Sequence, residues 1–308
     1  MSVYVSEELF APVSPGIELC YQTFGSPDGD PLLLVMGLGG PMTWWDPELC
    51  TMLAEAGFFV VRFDNRDTGR SSRAAGRVTR RQLVQAFLGR GGRVPYTLSD
   101  MAGDAFGLMD HLGWDSAHIV GVSMGGMIVQ TMAIDQATRV RSLTSIMSTV
   151  GRRTVGWQHP SLLPMLLANR AAGREAYVAS SARMWQLIGS PGFPLDEEKG
   201  RARAEDTFDR GVSASGVLRQ MVAILNQPDR SRALAALRVP AVVVHGAADK
   251  MVHVSGGRAT ARAIPGAELL LIDGMGHDMP NELFETFTDV IRRTADRAGR
   301  ATRSDRSA

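Results

Sequence analysis

Cysteine is scarce in this chain: among 308 residues only Cys20 and Cys50 carry a thiol. Two cysteines so placed form neither a disulfide framework nor a metal-binding spacing, so both are expected to pack in a core within a reducing compartment. An excess of one charge is also lacking, with 33 basic residues against 32 acidic ones, and net charge gives no reason to expect nucleic acid as a partner. No run approaches the ~20 apolar residues of a membrane span, and Met1-Ser-Val-Tyr-Val-Ser-Glu-Glu8 has neither the basic start nor the apolar stretch of a secretory signal. A cytoplasmic protein is the expectation. The glycine cluster Gly37-Leu38-Gly39-Gly40-Pro41 lacks the Lys-Ser/Thr of a P-loop, and Pro41 interrupts a dinucleotide fingerprint. His245 and His253 have no third partner at a zinc-like spacing. Neither a phosphate loop, a dinucleotide site nor a metal site is therefore expected from these residues.

What is present is an alternation of strand and helix patterns. Short strands are expected at 2–5 and 17–25, then continuous apolar runs at Pro31-Leu-Leu-Leu-Val-Met36 and Phe58-Phe-Val-Val-Arg-Phe63. Helices over 47–56 and from Met101 to Leu112 flank them, and strands follow at the run ending in Gly121 and near 141–147. Such alternation predicts an α/β fold with a mostly parallel sheet covered on both faces. From 152 to 235 it stops. Leu162-Leu163, Met165-Leu166-Leu167, Met184-Trp185 and Val217-Leu218 suggest helices broken by Pro164, Gly173, Pro191 and Gly211. That block is expected to be a helical cap inserted after the sixth strand, acting as a lid over a core made of 1–151 and 236–297. Alternation resumes at Val239–His245 and Glu268–Ile272, and a last helix presents Leu283, Phe284, Phe287, Val290 and Ile291 as one stripe. Residues 298–308 are expected to be a disordered tail.

The central feature is Gly121-Val-Ser123-Met-Gly125, where strand gives way to helix. G-x-S-x-G in that context is a nucleophile elbow, with small residues letting the chain turn tightly around an exposed serine. A serine hydroxyl needs a base, an orienter for the base, and donors for the oxyanion. Asp249 and His277 each follow a strand, in the order Ser, Asp, His. Asp273, Asp278, His245 and His253 are rivals by residue type. Glycines around His277 favour it by leaving the imidazole free to swing, and Asp249 is favoured because Asp273 lies only four residues from the base. The backbone N–H groups of Leu38 and Met124 are expected to form the oxyanion hole.

Two further stretches draw notice. Arg66 sits between Asp64 and Asp67, which suggests an ion-pair network bracing a turn. Residues 66–93 hold eight arginines and a single acid, Asp67, and are expected to be a solvated surface insertion. Gly37, Trp44, Trp157 and Trp185 are the expected substrate-binding residues, with Met36, Met127 and Met275 as further apolar lining; ordinary packing is the alternative for these tryptophans and methionines.

Met36-Gly37-Leu38-Gly39, Asp64-Asn-Arg-Asp-Thr-Gly-Arg-Ser71, Gly121-Val-Ser-Met-Gly125 and Gly274-Met-Gly-His277 together resemble the α/β-hydrolase superfamily. More closely they are similar to the actinobacterial branch that includes aclacinomycin methylesterase, over roughly 15–150 and 235–295. The resemblance implies Ser123, Asp249 and His277 as triad, Leu38 and Met124 as oxyanion donors, a small-molecule carboxylic ester as substrate, and no cofactor. Met36-Gly37 stands where many members have His-Gly. Cleavage of a C–C or amide bond, acyl transfer to an alcohol, and a non-catalytic ligand-binding role on the same fold are the alternatives.

Overall fold

In a computed structural model the described residues are 3–90, 94–162, 173–194 and 196–304. Eight strands form one sheet: β1 (Leu9–Ser14), β2 (Ile17–Phe24), β3 (Asp30–Val35), β4 (Phe58–Phe63), β5 (Ala117–Val122), β6 (Val140–Ile146), β7 (Ala241–Gly246) and β8 (Glu268–Ile272). Their spatial order is β1-β2-β4-β3-β5-β6-β7-β8. β1, β2 and β4 pair antiparallel, and every pairing from β4 through β3 to β8 is parallel. Wholly buried β4, β5 and β7 explain the unbroken apolar runs, since a central parallel strand has no wet face.

Both faces are covered. On one, α1 (Pro47–Glu55) and the last helix pack Leu49, Leu53, Phe287 and Ile291 against Leu32, Val60 and Val244. On the other, α3 (Leu98–His111), preceded by the short α2 (Arg80–Phe87), and α4 (Met124–Asp135) pack Met101, Leu108, Ile128 and Met132 against Leu33, Val61 and Ile119. Cys20 and Cys50 lie in this interior, where burial pushes each thiol up to about 12.

Between β6 and β7 come α5 (Arg174–Ile188), α6 (Glu197–Asp209), α7 (Ala214–Leu225) and the single turn α8 (Ser231–Leu234), with no strand among the described residues. Leu163, Pro164, Met165, Leu166 and Leu167 lie outside the described residues. α9 (Ser255–Ala263) and α10 (Phe284–Ser304) complete the chain, and the expected stripe of α10 is buried as a unit.

The first strand differs from expectation. Of the strand expected at 2–5, Ser2 lies outside the described residues and residues 3–5 contribute one isolated bridge, Val5 to Phe24; the strand is Leu9–Ser14 instead. Pro12 disguises it: an outermost strand tolerates a residue without an N–H, and the register shifts between Pro12 and Ser14. The far end differs too. Where disorder is expected from 298, α10 continues to Ser304 as the extension of a long helix already anchored by its buried stripe, and Arg297 is tied to Glu268 at 2.7 Å. Residues 305–308 lie outside the described residues.

Candidate active site

Ser123 stands between β5 and α4 at φ 56° and ψ −117°, a backbone setting unfavourable for any side chain but glycine. Its neighbours explain how the turn is made. A Cβ at Gly121 would lie 2.2 Å from the Gly125 carbonyl oxygen, and one at Gly125 would lie 2.0 Å from the Val35 carbonyl oxygen. Strand and helix therefore approach too closely for any side chain at either position. The Ser123 amide donates to Ile146 at 2.9 Å, and Ser148 Oγ donates to the Ser123 carbonyl at 2.7 Å. These bonds hold the strained residue in place.

His277 and Asp249 arrive from the ends of β8 and β7. His277 Nε2 is 3.0 Å from Ser123 Oγ, and His277 Nδ1 is 2.7 Å from Asp249 Oδ2. A carboxylate can only accept, so Nδ1 carries a proton, and in the neutral ring this leaves the Nε2 lone pair facing the serine hydroxyl. Asp249 Oδ1 accepts the Met251 and Val252 amides at 2.8 and 2.9 Å. Burial pushes its carboxyl up, but the facing His277 and His245 outweigh that and hold it well below the usual carboxylate range. His245, buried completely, bonds through Nε2 to the Val252 carbonyl at 2.8 Å and stands 3.4 Å from Asp249 Oδ2. It backs the acid and does not face the serine. His253 instead stacks on Trp157, with ring centroids 4.2 Å apart.

The glycines around His277 serve a different end from the one expected. A Cβ at Gly276 would lie 2.3 Å from the Gly189 carbonyl oxygen, and one at Gly274 would lie 2.8 Å from Gly192 Cα. They admit the end of α5, whose Ile188 carbonyl accepts the His277 amide at 2.7 Å. The loop is clamped, not loose.

Gly37 lies against the serine, where an added Cβ would stand 3.2 Å from Ser123 Cβ. The Leu38 and Met124 amides have no hydrogen-bond partner among the described residues, and Met124 opens α4, where N–H groups lack intrahelical acceptors. Trp44 and Trp185 meet edge to face at 5.4 Å, Trp44 Nε1 donating to Thr207 and the Arg203 guanidinium lying over Trp185. Trp157 does not join them. It is 45% exposed and stacks on His253 and His159, because residues 151–158 run over the surface. Met36, Met127 and Met275 are buried in the two main clusters. Among the described residues no three His, Cys, Asp or Glu side chains converge as a metal cage, and no helix is long and apolar enough to cross a membrane.

The braced turn after β4 is present, with partners the sequence did not disclose. Asp64 pairs with Arg210, Asp67 with Arg219, and Arg66 with Asp104. Arg70 and Arg73 also bond into the body, to Glu8 and to the carbonyls of Asp67, Gly69 and Gly211, so only part of the arginine-rich stretch is a solvated surface. Arg77, Arg81 and Arg90 are exposed, and Arg93 lies outside the described residues.

Residues 30–280 match the family described as alpha/beta hydrolase fold. The chain belongs to that family. Among relatives of this hydrolase, rhodomycin D methylesterase DauP of Streptomyces sp. (strain C5) is 29% identical across 89% of this chain and 94% of its own. The putative carbamate hydrolase RutD of Caulobacter sp. (strain K31) is 27% identical over the same shares. Among solved structures, the enol-lactonase from Burkholderia xenovorans LB400 superposes with a TM-score of 0.70 at 25% identity, covering 93% of this chain and 99% of that one.

Proposed function

We propose that this hydrolase cleaves a small-molecule carboxylic ester by acyl transfer through Ser123. The observation that carries the reading is the continuous relay from Ser123 Oγ to His277 at 3.0 Å and from His277 to Asp249 at 2.7 Å. Ser123 attacks the ester carbonyl as His277 Nε2 takes its proton; the imidazolium that forms is stabilised by Asp249. The Leu38 and Met124 amides receive the oxyanion, a contribution of about 10²–10³ in turnover per donor in hydrolases of this kind. His277 then returns the proton to the departing alcohol, the C–O bond breaks, and a water activated by the same imidazole releases the acid. Every proton is carried by the chain's own groups or by water.

A methylesterase and an enol-lactonase among the similar proteins are named for ester bonds, which supports the ester reading, while the carbamate hydrolase among them is named for a different acyl bond that the same relay could cleave. The helices of 152–235 act as the cap, and Trp44 with Trp185 gives the site an apolar wall suited to a bulky ester. Gly37 lets the acyl carbon come close to the serine. The test is direct. Ser123→Ala lowers aryl-ester turnover by several orders of magnitude with the unfolding transition intact, and a fluorophosphonate labels the parent protein but not the variant. Full turnover in Ser123→Ala removes this serine from the chemistry, and an unlabelled parent protein points to a ligand-binding role.

A further inference from the structure

The segment joining β3 to α1 is held from several directions. Asn65 Nδ2 donates to the Met36 carbonyl at 2.9 Å, and the Met42 amide donates to Asp64 Oδ1 at 2.6 Å. Between those anchors the Gly39 amide donates to Gln220 Oε1 at 2.8 Å, across 181 positions of sequence. Gln220 belongs to α7, in the helical insertion, and is closed to solvent. Its amide is spent in full, since Nε2 donates to the Arg66 carbonyl at 2.8 Å and to Thr68 Oγ1 at 2.9 Å. One turn earlier on the same helix face, Val217 presses on the same glycine: a Cβ at Gly39 would stand 2.9 Å from Val217 Cγ2. Arg219 beside it is bonded twice to Asp67, so α7 cannot shift without breaking a buried ion pair.

A buried apolar side chain would fill this space with less desolvation. A fully satisfied amide instead selects one arrangement, because any displacement strands polar atoms away from water. The peptide it fixes is the one following Leu38. The geometry points to Gln220 as a positioning residue that sets where the Leu38 amide stands relative to Ser123. This rests on the ester reading and its oxyanion hole, and goes beyond it: the cap helix becomes part of the catalytic alignment and is more than a cover. Gln220 touches no reacting atom.

The test compares the parent protein, Gln220→Met, Gln220→Glu and Thr68→Val for turnover of a short aryl ester and for inhibition by an alkyl boronate. Inhibition by an ether analogue of the ester, which offers no carbonyl to the amides, is measured alongside, with thermal unfolding as a control. Gln220→Met is expected to lower kcat by about 10- to 100-fold, the scale of a small misplacement of a reacting group, with KM nearly unchanged. Boronate affinity falls by the same factor while the ether keeps its own. Gln220→Glu, whose neutral acid can accept from Gly39 and donate to Arg66, recovers most of the loss; Thr68→Val, which leaves the Gly39 contact alone, stays near the parent. If Gln220→Met does not fold, Gln220→Asn, which withdraws the amide from Gly39, carries the same expectation. Unchanged turnover and boronate affinity in a protein that Ser123→Ala inactivates overturns the proposal and leaves the ester reading standing. So does an equal loss of boronate and ether binding, the mark of general loosening. A parent protein that neither turns over esters nor binds the boronate overturns both.

Discussion

Asp64 and Arg210 lie 146 positions apart and meet at 2.7 Å with both side chains nearly closed to solvent. The carboxylate also accepts the Met42 and Arg70 amides, and Arg210 also reaches Glu8. One residue follows β4 and the other ends α6, so the pair ties the helical insertion to the sheet. Removing the guanidinium strands a buried carboxylate. Arg210→Ala should therefore cost about 3–5 kcal/mol in urea unfolding, the usual penalty for breaking a buried pair. Arg174→Ala, which removes an exposed pair with Asp209, should leave the midpoint where it is.

The same pair shows what a sequence does and does not disclose. The convergence of Ser123, Asp249 and His277 is legible because local chemistry marks each one: a glycine-framed turn, or a polar residue just beyond an apolar strand. Asp64 and Asp67 were legible as acids of a braced turn. Their partners Arg210 and Arg219, and Gln220 beside them, were not, since each is an ordinary polar residue of an amphipathic helix whose pairing is set by tertiary packing alone. β1 was hidden by Pro12, which matters little on a sheet edge. Gly274 and Gly276 suggest freedom when read along the chain, and only the packed α5 terminus reveals that they answer to crowding.

Asp249 is distinguished from its rivals by contact. Asp273 is exposed, and Asp278 is turned toward Ser190. On the proposed triad, Asp249→Asn should lower kcat by about 10³–10⁴ by stabilising the wrong imidazole tautomer, whereas Asp273→Asn should leave steady-state kinetics unchanged. A large kinetic loss in Asp273→Asn, with none in Asp249→Asn, would reassign the acid.

His118 on β5 gives the fold a pH signature. It is buried edge-on to Phe58, with Nδ1 2.8 Å from Ser142 Oγ, and burial pulls its pKa down to about 4. The unfolded chain protonates this ring near the usual value of about 6.5 while the folded protein does not. Its contribution to stability is thus complete above about 6.5, declines as pH falls toward 4, and is level below that. The difference amounts to roughly 3 kcal/mol. Chemical denaturation of His118→Gln against the parent between pH 7 and 4 should show a shallower decline in the variant; parallel curves would mean the ring is charged in the fold.

The sequence pairs Trp185 with Trp157 as candidate substrate contacts, and the fold separates them. Trp185 is buried beneath Arg203 and touches Trp44, while Ile188, one turn further along α5, bonds the His277 amide. Trp157 lies at the surface against His253. On the reading that Trp44 and Trp185 form the apolar wall, Trp185→Leu should lower kcat/KM for a naphthyl ester by about tenfold relative to an acetate of small alcohol, the scale of a few lost apolar contacts. Trp157→Leu should leave that ratio alone. A ratio that moves with Trp157 and not with Trp185 would place the bulky part of the substrate along residues 151–158 instead.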